Sequence, residues 1–158
     1  MTPADVSCSI IDFHDLTLEQ LYSVLHLRDL VFVVGQKITE EPEVDGQDTC
    51  CAHALFYKGD VLVGTARVFT HEAPMIVGRV AVHPDHQGRG LGTQLMKEVQ
   101  AFLGDQETHL HAQSQLDAWY TSLGWERIGE RFMEAGIEHV MMRWPSQHPS
   151  ASDPDESA

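Results

Sequence analysis

A glycine-rich turn is the part of the sequence whose residue types and spacing most favour chemistry. It reads Gln87-Gly88-Arg89-Gly90-Leu91-Gly92 and lies between an apolar run and an amphipathic one. Glycine lets a backbone approach a ligand closely, and the unpaired first amides of a helix bind phosphate at the positive end of its dipole. The turn therefore predicts an anion-binding loop between a strand and a helix, although glycine in a tight turn can also be purely steric.

The charges around this turn support the anion site. Residues 79–97 contain three Lys or Arg and one acid, whereas the whole chain carries 10 Lys and Arg against 24 Asp and Glu, a net charge of −14. Two common phosphate motifs do not fit the turn. The pattern G-x-x-x-x-G-K-[ST] is absent, and the third glycine comes one residue too early for G-x-G-x-x-G.

The turn does fit the pattern Q/R-x-x-G-x-G/A, with Gln87, Gly90 and Gly92 at its fixed positions. Here the sequence resembles the GNAT superfamily of acetyl-CoA-dependent N-acetyltransferases, in which this loop binds the pyrophosphate of coenzyme A. Residues 79–84 resemble the family's fourth strand, whose main chain binds the pantetheine arm. Within residues 118–125, Trp119-Tyr120 and Gly124-Trp125 resemble the F-Y and G-F pairs of its A-x-x-F-Y-x-x-x-G-F element, with Trp in place of Phe at both positions.

Finer features resemble the ElaA-like branch of that superfamily, in residues 27–36, 43–48, 111–113 and 132–139. The branch usually reads V-E-Q where this chain has Val34-Gly35-Gln36, so one of its carboxylates is missing here. The resemblance implies the GNAT fold, an α/β (α+β) domain with a mixed central sheet flanked by helices on both faces. It also implies direct transfer of an acetyl group from a thioester to a primary amine, without a metal.

The resemblance assigns coenzyme A to the strand, the turn and the first residues after it. The residues expected to bind it are Val80, Ala81, Val82, Gln87, Gly88, Arg89, Gly90, Leu91, Gly92, Thr93 and Tyr120. A main-chain N–H near Val82 is the expected donor to the developing oxyanion. Tyr120 stands at the family's tyrosine, the acid that protonates the departing thiolate, because a phenol with a pKa of about 10 is protonated at neutral pH. The alternative is a core tyrosine packed with Trp119 and Trp125.

The reaction also needs a base that takes a proton from the ammonium. Glu43, Asp45 and His139 are candidates, as is a chain of water molecules; an unperturbed histidine titrates near neutrality, which suits the task. Each has a structural alternative, a solvated surface acid or a strand histidine paired across the sheet. Asp45 and Asp48, in an acidic stretch, are expected to draw a cationic amine. Arg28 is a candidate for a substrate anion or for a structural ion pair.

The composition excludes several functions. A net charge of −14 disfavours nucleic acids and anionic membranes. No apolar run approaches the ~18 residues of a membrane span, and no secretory signal is recognised, so a cytoplasmic protein is expected. Three cysteines without C-x-x-C and ten histidines without H-E-x-x-H predict no metal site, although His109 and His111 share one face of a strand.

The apolar periodicities predict the order β-α-β-β-β-α-β-α-β-β. This gives one domain over residues 1–144 and a disordered acidic tail, rich in Ser and Pro, over residues 145–158. The expected partners are a small-molecule amine or a protein amine, with the chain a monomer or a homodimer. The alternative function is a weakly catalytic domain on the same fold that binds acyl-CoA as a sensor.

Overall fold

The computed structural model describes residues 5–147, which form seven strands and three α-helices in the predicted order. One mixed sheet has the strand order β1-β2-β3-β4-β5-β7-β6, and only β4 and β5 are parallel. The elements are β1 (Val6–Asp12), α1 (Leu18–Arg28), β2 (Ala52–Lys58), β3 (Val61–Phe69), β4 (Met75–Val82), α2 (Leu91–Leu103), β5 (Thr108–Gln113), α3 (Asp117–Ser122), β6 (Glu126–Glu134) and β7 (Ile137–Trp144).

Helices cover both faces of the sheet, as predicted. Successive side chains of a strand point to opposite faces. Leu55 of β2 is accordingly buried with Val24 of α1, whereas Phe56 is buried with Val99 of α2. Tyr120 of α3 belongs to the same cluster as α2. The sheet therefore separates two apolar cores, which is the layered arrangement that an α/β domain needs.

The first helix begins at a capping box and ends in a π-helical segment. Thr17 and Gln20 form a capping box, in which each side chain accepts a hydrogen bond from the other residue's backbone N–H. The sequence pattern predicts a helix to about Val33, but the chain widens into a π-helical segment at Asp29–Gly35. The Gln36 N–H donates to the Val31 carbonyl, a bond five residues long. The spacing of apolar residues along a segment of seven residues does not distinguish a π-helix from an α-helix.

Strand β4 leaves β5 after three paired residues, Met75, Ile76 and Val77. Beyond Val77, β4 pairs only with β3, and a bulge shifts that register between Gly78 and Ala81. Arg79 lies in the bulge with φ +50°. A bulge bends its strand and increases the local twist. One edge of β4 is therefore free of a strand partner just before the glycine-rich turn.

A buried network of ion pairs ties the segment between the π-helix and β2 to the sheet. Arg28 contacts Glu43 at 2.8 Å and Asp48 at 2.7 Å. Arg67 of β3 contacts Asp48 at 2.9 Å and Asp45 at 2.8 Å. The network balances arginines against acids and joins α1, β3 and the bulge of β4 through this segment.

Residues 145–147, the start of the tail that the sequence predicts to be disordered, continue from β7 in the described structure. The backbone N–H of Ser146 donates to the Gly124 carbonyl, and that of Gln147 donates to the Glu126 carboxylate. The rest of that tail lies outside the described residues. Within residues 5–147, no helix is long and apolar enough to cross a membrane, and no three metal-binding side chains form a cluster.

We expect the ion-pair network to make the free energy of unfolding depend on pH in the acid range. Hydrogen bonding to Arg67 lowers the pKa of Asp45; burial opposes the shift at Asp48, but Arg28 and Arg67 still lower its pKa. Carboxyls with depressed native pKa values stabilise the fold above about pH 4, and that stability is lost as the pH falls through the lower native values. Urea titrations at pH 7, 5, 4 and 3 should show the free energy of unfolding falling below about pH 4.

The variant Asp48→Asn tests the same network. It leaves two buried arginines short of a partner, so it should lose about 3–5 kcal/mol at pH 7 and flatten the acid dependence. Asp60→Asn, an equal charge change at an exposed position in the β2–β3 turn, is the control. Equal acid dependence in Asp48→Asn and the wild type would contradict the assignment.

Gly124 is a second position where the fold constrains the sequence. Its φ is +110°, and a Cβ there would lie 2.7 Å from Cζ3 of Trp144. The Trp144 ring is held because its Nε1–H donates to the Gly104 carbonyl at 3.0 Å. Gly59 has φ +62° but open space around a Cβ.

We therefore expect Gly124→Ala to destabilise the protein more than Gly59→Ala does. Both substitutions carry the backbone strain of positive φ, about 1–2 kcal/mol, whereas only Gly124→Ala adds overpacking, about 1–3 kcal/mol. Urea unfolding of the two variants measures the difference directly. Equal losses would show that Trp144 moves aside without cost.

Candidate functional site

A cavity of about 250 Å³ opens beside the free edge of β4. Its walls come from β4, α3, β7, the turn between β6 and β7, and the segment that follows the π-helix. The lining side chains that matter for chemistry are Glu41, Glu43, Arg79, His111, Tyr120, Glu134 and His139. The structure thus brings the three candidate catalytic residues Tyr120, His139 and Glu43 to one cavity.

Tyr120 is a core residue and a cavity residue at once. Its exposed fraction is 5%, and its ring packs against Trp119 at 4.8 Å and Trp125 at 6.2 Å between centroids. Burial raises the pKa of the phenol, so the hydroxyl is protonated at neutral pH and can donate. The Nε1–H of Trp125 donates to Gln100 at 2.8 Å, which fixes the ring behind Tyr120.

His139 is held in one tautomer by the backbone. Its Nδ1 lies 2.7 Å from the Ile137 carbonyl oxygen, and a carbonyl only accepts, so Nδ1 carries the proton and Nε2 is left to accept one. The ring stacks on Phe132 with centroids 5.9 Å apart. Backbone and aromatic contacts together therefore fix the ring of a residue that lines the cavity.

The other predicted substrate residues lie in the ion-pair network. Arg28 is 1% exposed, and its guanidinium is occupied by Glu43 and Asp48. Glu43 also contacts Arg79 at 2.7 Å, so two guanidinium groups share its carboxylate. Of the network, Glu43, Arg67 and Arg79 are in the cavity lining, whereas Arg28, Asp45 and Asp48 are not. The contacts favour the structural ion pair for Arg28, and they also pair Asp45 and Asp48 with arginines, so neither is a solvated surface acid. The part of these three residues in binding a substrate stays a prediction.

The glycine-rich turn has the backbone that close ligand approach requires. Gly88 and Gly90 have φ +78° and +76°, and a Cβ at either would meet open space. Helix α2 begins directly after Gly90, with no side-chain cap and no acid in its first turn. The first amides of α2 therefore have neither an intrahelical partner nor a competing carboxylate. Arg89 is exposed beside them.

Neighbouring side chains fix this turn to the strand before it and to α3. The Gln87 side-chain amide donates to the Val82 carbonyl at 3.0 Å. Thr93 accepts a hydrogen bond from Trp119 at 3.1 Å. A Cβ at Gly92 would lie 3.5 Å from the Trp119 ring, so glycine there allows the helix to approach α3. These contacts fix the glycine-rich turn and the first residues of α2 against β4 and α3.

One pair of cavity residues was not predicted as a site. His111 Nδ1 lies 2.7 Å from Glu134 Oε1; hydrogen bonding to Glu134 raises the pKa of His111, and the same bond lowers the pKa of Glu134. The sequence analysis places His111 on one strand face with His109, and it places both His111 and Glu134 in segments that resemble the ElaA-like branch, but it gives neither residue a role. The carboxylate partner of His111 lies on β6, with β7 between the two strands, so no local spacing could have found it.

The arrangement can bind an anion at the start of α2, present main-chain groups along β4 and move protons at Tyr120 and His139. Comparison with known proteins gives the family. Residues 34–146 match a family model described as an acetyltransferase (GNAT) domain. The chain is 34% identical to protein ElaA of Escherichia coli over 142 residues, which are 83% of this chain and 92% of ElaA.

Solved structures give the same result. An acyl-CoA N-acyltransferase from Pseudomonas aeruginosa is 33% identical, with a TM-score of 0.78 over 87% of this chain and 98% of that one. The crystal structure of Escherichia coli ElaA has a TM-score of 0.77 over the same shares of the two chains. The family match over residues 34–146, together with these relatives, shows that the chain belongs to the GNAT acetyltransferase family, among the proteins similar to ElaA.

Proposed function

We propose that the protein is an acetyl-CoA-dependent N-acetyltransferase that acts on a primary amine, in a small molecule or a protein, by direct attack on the thioester. The observation that carries this proposal is the free edge of β4, which runs from the cavity to the glycine-rich turn. An elongated cofactor with an amide-rich arm and a pyrophosphate fits such an edge. The free cysteines at 8, 50 and 51 suit the reducing cytoplasm, where we place the activity.

The residues fit coenzyme A at two points. The main chain of Val80, Ala81 and Val82 has no strand partner on its cavity side and offers hydrogen bonds to the pantetheine amides. The turn Gln87, Gly88, Arg89, Gly90, Leu91, Gly92 and Thr93 offers unpaired amides and one guanidinium to the pyrophosphate. When bound, the thioester supplies an activated acetyl group. The chain's own residues bind, orient and exchange protons around it.

Proton transfer divides between two side chains. Nε2 of His139 accepts a proton from the substrate ammonium, which frees the nitrogen lone pair for attack. A carbon–nitrogen bond forms, the carbon–sulfur bond breaks, and the Tyr120 hydroxyl gives its proton to the departing sulfur. The acylated nitrogen then loses its remaining extra proton, which restores the Tyr120 phenol, and His139 releases its proton to solvent. A main-chain N–H near Val82 donates to the carbonyl oxygen as its charge develops. Glu43 is the second candidate base, although two guanidinium groups already share its carboxylate.

Release of free thiol from acetyl-CoA tests the proposal. The purified protein is incubated with acetyl-CoA and a panel of primary amines, and the thiol is followed with a chromogenic disulfide. We expect thiol release that depends on an amine, and stabilisation by coenzyme A in thermal unfolding. Stabilisation without turnover across the whole panel would favour the acyl-CoA sensor instead.

The variant Gly90→Val tests the pyrophosphate site. A β-branched residue at φ +76° is strained, and its side chain would enter the space beside the first amides of α2. Coenzyme A binding should weaken by at least about tenfold, or 1.4 kcal/mol, in isothermal titration. Gly129→Val, at φ +83° on β6 and also facing open space, is the control. Wild-type affinity in Gly90→Val would exclude this loop as the pyrophosphate site.

The variant Tyr120→Phe tests the acid. It keeps the packed ring and removes the donor, so kcat should fall by about 10²-fold or more while the Kd for acetyl-CoA changes little. Tyr22→Phe, on the exposed face of α1, is the control for a lost phenol. An unchanged kcat, measured where a rapid-quench burst is absent and chemistry limits the rate, would refute the assignment.

A further inference from the structure

We propose that the acceptor is a short diamine and that Glu41 binds the ammonium group that does not react. This inference rests on the proposed N-acetyltransferase function and names the substrate class and a specificity-determining residue for it. It begins from the charges of the cavity.

Three carboxylates line the cavity, and two of them already have a hydrogen-bonding or ion-pair partner within the protein. Glu43 is shared by Arg28 and Arg79, at 2.8 Å and 2.7 Å. Glu134 contacts His111 at 2.7 Å. Glu41 contacts no cation among the described residues of the chain. It is exposed, so a ligand can reach it from solvent.

The cationic side chains of the lining do not neutralise the negative charge of Glu41, because they are paired with other acids. Arg67 is paired with Asp45 and Asp48, and Arg79 with Glu43. The three arginines and three acids of the network therefore cancel one another in charge. Among the described residues, Glu41 is then the lining carboxylate that has no partner within the protein, whose net charge is −14. A cation is the complementary ligand.

The reacting nitrogen is a poor candidate for that cation. Attack needs the neutral amine, whereas a nearby carboxylate favours the ammonium form. Glu41 therefore suits a second ammonium of the same molecule, while the reacting nitrogen lies near Tyr120 and His139. The cavity also exposes apolar side chains, Phe32, Phe69, Ile76 and Leu110, that suit a methylene chain. Its volume of about 250 Å³ is below the ~300–1,000 Å³ of drug-sized sites, which favours a short acceptor.

The test compares two probes that differ by one ammonium group. Thiol release from acetyl-CoA is measured with 1,4-diaminobutane and with butylamine, for the wild type, Glu41→Gln and Glu40→Gln. Glu40 is the matched control, because it is the neighbouring acid, carries the same charge and is not in the cavity lining. Isothermal titration of both probes into the protein with coenzyme A gives a second readout that needs no turnover.

We expect the wild type to prefer 1,4-diaminobutane. Glu41→Gln should raise the KM and the Kd for the diamine by about tenfold, the size of one charged contact, with kcat within about twofold. Butylamine should be unaffected, and Glu40→Gln should behave as the wild type does with both probes.

Three results would overturn the inference. One is equal KM and Kd values for diamine and monoamine in the wild type. Another is an equal loss for both probes in Glu41→Gln, and the third is the same loss in Glu40→Gln, which would assign the effect to the general acidic field. Failure of the proposed function looks different: coenzyme A binds, but no amine in the panel releases thiol. In that case the titration alone decides whether Glu41 selects a diamine.

Discussion

The short pairing of β4 with β5 is the constraint on which the rest of the site depends. Three residues of β4 pair with β5, and the bulge at Gly78 and Arg79 then turns the strand away. Had the two parallel strands stayed paired to their ends, main-chain hydrogen bonds would fill the edge that we propose for the pantetheine arm. The bulge thus leaves one edge of β4 without main-chain hydrogen bonds to another strand, and the cavity opens beside that edge. The glycine-rich turn still follows directly from the end of the strand.

Arg79 links that bulge to the wall of the cavity. A non-glycine residue at φ +50° is strained, and such strain persists only where surrounding contacts fix it. Here the guanidinium contacts Glu43, and through the acids it joins Arg28 and Arg67 in one network. A buried ion pair contributes little net stability over an apolar pair of the same shape. The network instead fixes the position of the acidic segment between the π-helix and β2, and it does so without leaving a net charge beneath the cavity.

The sequence predicts well what local spacing encodes. Alternation and helical periodicity give the element order, and the glycines give the loop whose φ values the structure confirms. Tyr120 has two candidate roles, a core tyrosine and the acid that the family resemblance implies; the structure places it in both the core and the cavity lining, and the acid role stays a prediction. The ion pairs of Arg28 could not be foreseen, since its partners lie 15 and 20 residues away in a segment that reads as solvated loop. The contact of His111 with Glu134 crosses an intervening strand, so it carries no local signal either.

These long-range pairs change how the acidity of the chain should be understood. A net charge of −14 invites the view that acids between Glu40 and Asp48 attract the substrate directly. In the structure, Glu43, Asp45 and Asp48 are paired with arginines. Their net contribution to the electrostatic attraction of a cation at the cavity is therefore close to zero. Long-range attraction then comes from the whole surface and is screened over ~8–10 Å by physiological salt. Discrimination between acceptors has to come from the few groups left unmatched inside the cavity, because only those are close enough to distinguish one cation from another.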